Sequence, residues 1–324
     1  MDKRARAVSP IPLCDPHFHL WDLRARPNPN LGKVDGHPLP SYLASDYLRD
    51  VATIPSDLRL MSSVHVETIV GQAPGGAQLD SVSETEWVCG QMSPSEVDRP
   101  FFIVAFLHLA RSATEREREL EAHMAAAAGR LRGVRMILNH HDHNPELTWP
   151  QVAHGAFLGD RSFRDGLGLL QRHGFSFDLS CNPHQVGAAV RLLRDFPDLP
   201  VVVNHLGFLH EGEDKAHESL WREGIHALAG LPSVSMKLSM LWFGCAAYNL
   251  DEKKEQRVSA RVLEVIDVFG CDRCMFASNY PVDKFNGISL AQLYEIYLSW
   301  TDGFSDTERS ALFHDTAVRS YQLS

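Results

Sequence analysis

The feature that most constrains the fold is a series of eight short apolar runs spread along the whole chain. Runs of this length, bounded by polar, proline or glycine turns, are typical of strands buried on both faces of a parallel sheet. We therefore predict eight β-strands. They are placed at Pro12–His17, Met61–Glu67, Phe101–Leu107, Gly133–Leu138, Phe175–Leu179, Val201–His205, Val234–Leu238 and Cys274–Ser278.

Stretches with helical periodicity lie between most of these runs, the clearest being Thr114–Ala128, Gln185–Phe196 and Gln256–Phe269. Parallel strands joined by right-handed helical crossovers close most simply as a barrel with its helices outside. The alternative is a doubly wound open sheet, in which the first strand would lead into a glycine-rich phosphate-binding turn. Here the first strand leads into His17 and His19 instead. The predicted fold class is α/β, a single (β/α)8 TIM barrel.

The length of the chain fits one barrel domain. It has 324 residues, 44% of them apolar, which is enough for a sizeable core, and we assign residues 1–324 to a single domain. Four stretches are predicted to form loops over the mouth of the barrel, at residues 23–40, 71–97, 139–160 and 241–250.

Composition and charge exclude several classes of partner. The formal net charge is -10 and no basic stripe is present, which argues against nucleic acid and anionic membranes. No signal peptide or long apolar segment is found, so we expect a soluble, cytoplasmic protein that acts on a small molecule; homo-oligomerisation is left open. Six scattered cysteines predict free thiols, and Cys271 and Cys274 are interpreted as two thiols before a buried strand.

Histidines follow two of the predicted strands. In a barrel of this kind the chemistry lies at the carboxyl ends of the strands. His17 and His19 are two residues apart on the first strand, so both imidazoles can face one point, as a single divalent ion requires. His205 directly follows the apolar run of the sixth strand. Each motif alone is compatible with a structural role, but the combination favours a site.

Six motifs, in order along the chain, resemble those of the amidohydrolase-related family that includes sugar lactonases and 2-pyrone-4,6-dicarboxylate hydrolase. They are DPHFHLWD, RGVRMILNH, SFDLSCNPHQ, VVNHLG, SMKLS and MFASNYPVDK. The resemblance covers nearly the whole chain. It implies an amidohydrolase barrel in which His17, His19 and His205 match histidines that bind a metal or, in metal-independent members, the substrate.

The chain departs from the wider superfamily at the end of strand eight, where Asn279 stands in place of an aspartate. An amide cannot take a proton from water and binds a dication less strongly than a carboxylate does. We predict that Glu67 compensates by supplying charge to the metal or the water, while Asp283 acts as base or holds a substrate hydroxyl. The alternative for Asp283 is a salt bridge with Lys284 or another cation.

Further polar residues are predicted to bind substrate. Arg135 interrupts an apolar strand, where it would bind an anionic substrate or pair with an acid such as Asp178. Lys237 likewise is either a substrate contact or a member of a buried ion pair. The set of predicted substrate-binding residues is completed by Asn182, His184, Asn279 and Tyr280. A second metal site in the loop run His140, His141, Asp142 and His143 is disfavoured by its polar surroundings.

The predicted reaction is hydrolysis of a small lactone or related ester-like bond, in a carboxylated or polyhydroxylated substrate. One divalent ion, with zinc favoured by imidazole ligands, would be held by His17, His19, His205 and Glu67 and would activate a water. Asp283, Glu67 and His205 would be the catalytic residues. Three alternatives stay open: a metal-independent lactonase whose histidines bind the carbonyl oxygen, a non-oxidative decarboxylase of an aromatic acid, and a barrel that only binds a ligand.

Overall fold

Eight parallel strands in consecutive order form the centre of the molecule. A computed structural model describes residues 9–34, 37–71, 77–92, 99–210 and 215–323. Each strand is hydrogen-bonded to the next in the chain, so every crossover joins neighbouring parallel strands. The strands are β1 (Ile11–Phe18), β2 (Leu58–Val66), β3 (Phe101–Phe106), β4 (Leu131–Arg135), β5 (Ser176–Leu179), β6 (Val201–Val203), β7 (Val234–Leu238) and β8 (Cys274–Phe276).

Helices surround the strands and make up most of the connections. They are α1 (Ala44–Val51), α2 (Ser81–Gln91), α3 (Ala113–Ala127), α4 (Arg161–His173), α5 (Val186–Leu193), α6 (Lys215–Ala229), α7 (Glu252–Phe269), α8 (Val282–Phe285), α9 (Leu290–Trp300), α10 (Asp306–Ser310) and α11 (Thr316–Tyr321). A π-helical turn, Ala311–Asp315, joins the last two. The described helices include none that is long and apolar enough to cross a bilayer.

Local sequence explains where several helices begin and end. Ser112 and Glu115 form a capping box at the start of α3, which satisfies backbone N–H groups that a helix otherwise leaves unpaired. Asp160 caps α4 by accepting hydrogen bonds from two backbone N–H groups. The same helix ends at Gly174 with φ of 71°, a left-handed conformation that glycine adopts without a Cβ clash.

Backbone hydrogen bonds close the barrel between its last and first strands. The His19 amide donates to the Tyr280 carbonyl at 2.7 Å, and the Asn279 amide donates to the His17 carbonyl at 2.8 Å. These bonds continue a parallel ladder between the two strands. The predicted (β/α)8 barrel is therefore confirmed, and the residues after β8 lie beside those that end β1.

A buried carboxylate strengthens the same junction. Asp15, on β1, accepts hydrogen bonds from the Ser278 amide at 3.0 Å and the Ser278 hydroxyl at 2.7 Å. The Tyr47 hydroxyl of α1 donates to the second oxygen of Asp15 at 2.9 Å. One side chain thus holds together both ends of the sheet and the first helix.

The barrel interior contains an apolar half and a polar half. Its apolar side chains form a cluster of their own, Cys14, Val64, Val66, Phe102, Val104, Val202, Met275, Ala317 and Tyr321. The last two belong to α11, which lies against the strand starts, since Ser320 contacts Ser235 at 3.1 Å and Arg132 donates to the Gln322 carbonyl at 3.2 Å. The charged interior side chains lie between this plug and the strand ends.

All eight predicted strands are present, but several end earlier than predicted. The clearest cases are β4, which ends at Arg135 and not Leu138, and β6, which ends at Val203 and not His205. Single backbone bonds still join the segments beyond these ends, from Leu138 to the Ser180 carbonyl and from Asn204 to the Leu179 carbonyl, and the extended conformation stops at His205, whose φ is 55°. The predicted loop at 71–97 contains α2 within it. Its residues 72–76 and 93–97, like residues 35–36 of the first loop, lie outside the described residues. All six cysteines are free, as predicted.

The contact between α4 and the loop before α3 depends on a glycine. A Cβ on Gly166 would lie 2.6 Å from the Leu109 carbonyl oxygen, and backbone cannot move aside easily. We expect Gly166→Ala to lower the free energy of unfolding by about 1–3 kcal/mol, measured by urea denaturation. The control is Gly90→Ala in α2, where nothing lies within 4 Å of the added atom. Equal stability of the two variants would contradict this packing.

Candidate functional site

The three predicted histidines come together at the carboxyl ends of the strands. The ring centroids of His17 and His19 are 4.8 Å apart, and those of His17 and His205 are 4.6 Å apart. All three side chains are buried, with exposures of 5% or less. Segments that lie far apart in the sequence thus place imidazoles in one small volume, as expected for side chains at the carboxyl ends of barrel strands.

The backbone that presents His205 is strained. His205, Leu206 and Phe208 have φ of 55°, 51° and 57°, although none of them is glycine. Non-glycine residues in this region cost about 1 kcal/mol or more each, and such residues cluster at functional sites. The turn after β6 therefore aims the imidazole into the barrel mouth at a cost in stability.

Each histidine is oriented by a hydrogen bond to its Nδ1. His19 Nδ1 lies 2.8 Å from the Val66 carbonyl oxygen, and His205 Nδ1 lies 3.0 Å from the Ser239 hydroxyl. His17 Nδ1 lies 3.2 Å from Lys237 Nζ. The Nε2 atoms of His17 and His19 are 3.1 Å apart and face each other.

All three histidines are neutral at ordinary pH. Burial is the largest cause that holds the pKa of His17, His19 and His205 well below its usual value, because the charged imidazolium loses its water. The next cause is the cation Lys237 for His17 and the cation Arg135 for the other two. Neutral imidazoles can donate or accept a hydrogen bond, and which they do depends on their partners.

Glu67 and Arg135 form a buried ion pair with each other. Arg135 Nε donates to Glu67 Oε1 at 2.6 Å, and Arg135 Nη2 donates to the Glu67 carbonyl at 2.6 Å. The second carboxylate oxygen accepts from the Val70 amide at 2.9 Å. Both side chains are nearly fully buried. Glu67, predicted as a metal ligand, thus has both oxygens engaged, and Arg135 pairs with it and not with Asp178.

Lys237 and Asp178 form a second buried pair, one of the two predicted alternatives for this lysine. Lys237 Nζ donates to Asp178 Oδ2 at 2.7 Å, and both side chains are fully buried. The Tyr321 hydroxyl of α11 donates to the same carboxylate, at 2.8 and 3.0 Å from its two oxygens. The Asn204 amide adds a fourth bond at 2.9 Å. Lys237 therefore lies inside the barrel below the histidines.

The strand-eight amide is linked to the nearby acid. Asn279 Nδ2 donates to Asp283 Oδ2 at 2.7 Å, and Asp283 is fully buried. Its Oδ1 has no hydrogen-bond partner among the residues that the structure describes. Burial raises the pKa of Asp283 to about 8, although Asn279 and the nearby Trp242 indole favour its charged form. The predicted alternative of a salt bridge with Lys284 is wrong, because that lysine pairs with Asp50 at 2.7 Å.

Three predicted substrate-binding residues have other surroundings. The Asn182 amide is buried and donates to the Leu147 carbonyl at 2.8 Å, so it fastens the loop at 139–160. The Tyr280 hydroxyl is buried and donates to the Ile288 carbonyl at 2.7 Å. His184 is exposed and packs against His141, with ring centroids 4.8 Å apart. These contacts hold loops in place and leave the substrate roles as predictions.

The histidine-rich loop also has a structural explanation. His141 Nδ1 accepts hydrogen bonds from the backbone amides of His143 at 3.2 Å and Asn144 at 3.0 Å. A nitrogen lone pair used in this way is not available to a metal. His140 Nδ1 lies 3.4 Å from the exposed carboxylate of Asp142. The second metal site, which the sequence disfavoured, gains no support from these contacts.

The residues at the strand ends do not fit a divalent ion in their present arrangement. Two ligand nitrogens of a tetrahedral zinc lie about 3.3 Å apart, which the Nε2 atoms of His17 and His19 nearly match. However, Glu67 is committed to Arg135, and the cation Lys237 contacts His17. Among residues 9–34, 37–71, 77–92, 99–210 and 215–323, no group of three or more His, Cys, Asp or Glu side chains could hold a metal ion.

A cavity of about 400 Å³ lies beside the segments that follow the first two strands, and its lining among the described residues includes none of the three histidines. Its wall includes Leu20 and Thr68, which directly follow His19 and Glu67 in the chain, together with Arg26 and Trp87. The Arg26 guanidinium lies 5.6 Å from the centre of the Trp87 ring and donates to the Ser83 hydroxyl at 2.8 Å. The cavity is large enough for a small organic molecule.

Sequence reasoning did not assign several residues that contact or lie beside the site. They are Asp15, His65, Ser239 and Tyr321, all of them buried. His65 Nε2 has no hydrogen-bond partner among the described residues, and burial lowers the pKa of this histidine to about 3. The motif DPHFH contained a clue to Asp15, two residues before His17, whereas nothing near Tyr321 in the sequence indicated a contact with Asp178.

The fold and the strand-end residues together define an amidohydrolase-type (β/α)8 barrel. The resemblance that the six motifs indicated is confirmed by comparison with known sequences. A family model described as Amidohydrolase matches residues 14–323, and the chain belongs to this family.

Curated relatives and solved structures agree with that assignment over nearly the full length. The chain is 33% identical to the uncharacterized protein y4mH of Sinorhizobium fredii, over 98% of this chain and 100% of that protein. It is 24% identical to an L-fucono-1,5-lactonase of Burkholderia ambifaria, over 95% of each. An amidohydrolase structure from Burkholderia multivorans with bound zinc has a TM-score of 0.75 at 23% identity, over 96% of this chain and 99% of that one.

The buried pair of Glu67 and Arg135 gives a test of site stability. Arg135→Met would leave a carboxylate buried without its cation, so we expect the free energy of unfolding at pH 7 to fall by about 3–5 kcal/mol. The double variant Arg135→Met with Glu67→Gln removes both charges, so it should lose less than the single variant. Urea unfolding of the three proteins measures this. A double variant less stable than the single one would contradict the pairing.

Proposed function

We propose that this protein hydrolyses a small lactone or a related ester-like bond. The observation that carries the proposal is the convergence of three neutral, buried imidazoles at the strand ends of a barrel of this family. The name of the fuconolactonase relatives supports the lactone, and a carboxylated or polyhydroxylated substrate would fit the adjoining cavity with Arg26 in its wall. We further propose that the chain acts as one domain in the cytoplasm.

In the proposed mechanism, His205 binds the carbonyl of the substrate and a carboxylate activates water. The Nδ1 atom of His205 faces the Ser239 hydroxyl, so its Nε2–H group would donate to the carbonyl oxygen and stabilise the negative charge that develops on it. The deprotonated Asp283 would accept a proton from the attacking water and return it to the ring oxygen as the bond between that oxygen and the carbonyl carbon breaks. Asn279 would hold the carboxylate by its hydrogen bond. The backbone amide of Asn279 donates to the His17 carbonyl, so Asp283 and His17 are both bonded to Asn279, one by its side chain and the other by its backbone.

Zinc is the second candidate for the electrophile. The zinc-bound Burkholderia structure and the spacing of the two Nε2 atoms favour it. The engagement of Glu67 and the contact of Lys237 with His17 oppose it, so no step of the mechanism is assigned to a metal.

A lactone screen tests the proposed function. We expect turnover of at least one sugar lactone or pyrone lactone, and a decrease on the order of 100-fold or more in His205→Asn, since a group that stabilises the transition state is lost. His226→Asn on the exposed face of α6 is the control and should retain full activity. Activity that survives complete chelation favours the histidine-only electrophile, and activity restored by zinc favours the metal.

Failure in this screen identifies the alternatives. Release of carbon dioxide from hydroxybenzoic acids, without lactone turnover, would show that the protein is a decarboxylase and not a lactonase. Tight binding of a lactone without turnover would establish a barrel that only binds its ligand.

The pKa of Asp283 predicts the pH dependence of the reaction. Only the deprotonated carboxylate can act as base, and burial raises its pKa to about 8. We therefore expect kcat/KM to rise with pH and to level off above about pH 8. Asp283→Asn should lower kcat/KM by about 10²–10⁴ and abolish this rise. Rates measured from pH 5 to about pH 10 test it, and an unchanged profile in the variant would remove Asp283 from the mechanism.

A further inference from the structure

A continuous line of buried hydrogen bonds runs from α11 to the histidine pair. The Tyr321 hydroxyl donates to Asp178, which accepts from Lys237 at 2.7 Å, and Lys237 reaches His17 Nδ1 at 3.2 Å. His17 Nε2 then faces His19 Nε2 at 3.1 Å. All five side chains are buried.

The chemistry of the end groups determines where each ring hydrogen lies. An ammonium has hydrogens to donate and no lone pair, so Nδ1 of His17 must accept the bond from Lys237. A neutral imidazole carries one ring hydrogen, which in His17 is therefore on Nε2. At the other end, the Val66 carbonyl can only accept, so His19 carries its hydrogen on Nδ1 and offers a lone pair at Nε2.

These two assignments fit each other. The Nε2 hydrogen of His17 points at the Nε2 lone pair of His19, over a distance normal for a hydrogen bond. We propose that Lys237, held by Asp178 and Tyr321, is a positioning residue that keeps His17 in its Nε2–H form. As a result, the histidine pair forms an internal hydrogen bond instead of clamping a divalent ion.

The inference explains why a barrel with the HxH motif does not fit a metal here. An ion bound by both Nε2 atoms would need a lone pair on each, so His17 would have to give up its Nε2 hydrogen. It would also have to break its bond with Lys237 or lose a proton from that ammonium. The proposal concerns the ring hydrogens alone, and it holds whichever bond the protein hydrolyses.

Nitrogen-15 NMR of the histidine rings tests the proposal on the unaltered protein. The chemical shift of a ring nitrogen differs strongly between its protonated and unprotonated states, and His17→Asn and His19→Asn identify the signals. We expect His17 to be protonated at Nε2 and unprotonated at Nδ1, and His19 to show the reverse. A protonated Nδ1 on His17 in the wild-type protein would by itself overturn the proposal, before any residue of the hydrogen-bonded line is replaced.

Three variants test the role of this line of hydrogen bonds. Lys237→Met should shift the His17 Nδ1 signal toward the protonated value, and Tyr321→Phe should shift it in the same direction by less. Tyr294→Phe is the matched control, because the Tyr294 hydroxyl is buried and has no hydrogen-bond partner among the described residues; its His17 signals should not move. Unchanged His17 signals in folded Lys237→Met, or an equal shift in the control, would contradict a positioning role.

Zinc affinity provides a readout that is independent of catalysis. If the internal hydrogen bond opposes the ion, zinc should bind Lys237→Met at least tenfold more tightly than it binds the wild-type protein or Tyr294→Phe, measured by competition with a chromogenic chelator. Equal affinity in all three proteins would refute the opposition between Lys237 and a metal, whether or not a lactone is turned over.

Discussion

The position of the whole site depends on the bonds that the Asp15 carboxylate makes across the barrel seam. Ser278 donates to it from both its backbone and its hydroxyl, so separation of the first and last strands would cost a buried carboxyl group two of its hydrogen bonds. The predicted site residues lie on each side of this seam, with His17 and His19 at the end of the first strand and Asn279 just after the last. Closure of the sheet therefore brings His17 and His19 beside Asn279.

Charge inside the barrel is balanced locally by two ion pairs. Arg135 pairs with Glu67, and Lys237 pairs with Asp178, with all four side chains almost completely buried. Buried charges are tolerated only when they are paired and hydrogen-bonded, and here every carboxylate has further donors from backbone or side chains. Because the cations remain near the imidazoles, they also disfavour protonation of the histidines.

The sequence predicted the strands and the histidine cluster because both follow from local patterns. An apolar run indicates a strand, and a histidine at its end points into the mouth of a barrel, so His17, His19 and His205 could be brought together without coordinates. The hydrogen-bond and ion-pair partners of buried side chains were harder to predict, because they depend on the register between neighbouring strands and on the reach of each side chain. Arg135 is level with Asp178 in the sheet, yet its long side chain reaches across the interior to Glu67.

Adjacency in sequence was misleading for the same reason. Lys284 follows Asp283 directly, but the two side chains leave the short helix α8 in different directions, one inward to Asn279 and the other outward to Asp50. Contacts between distant segments, such as Tyr321 with Asp178, leave no local pattern at all.

The contribution of α11 has a consequence for the interior of the barrel. Tyr321 lies after all eight strands, so Asp178 receives one of its hydrogen bonds from outside the sheet. If α11 detached, that buried carboxylate would lose a donor, which costs free energy. Because Asp178 bonds Lys237 and Lys237 contacts His17, undocking of this one short helix would be felt at the opposite rim of the barrel.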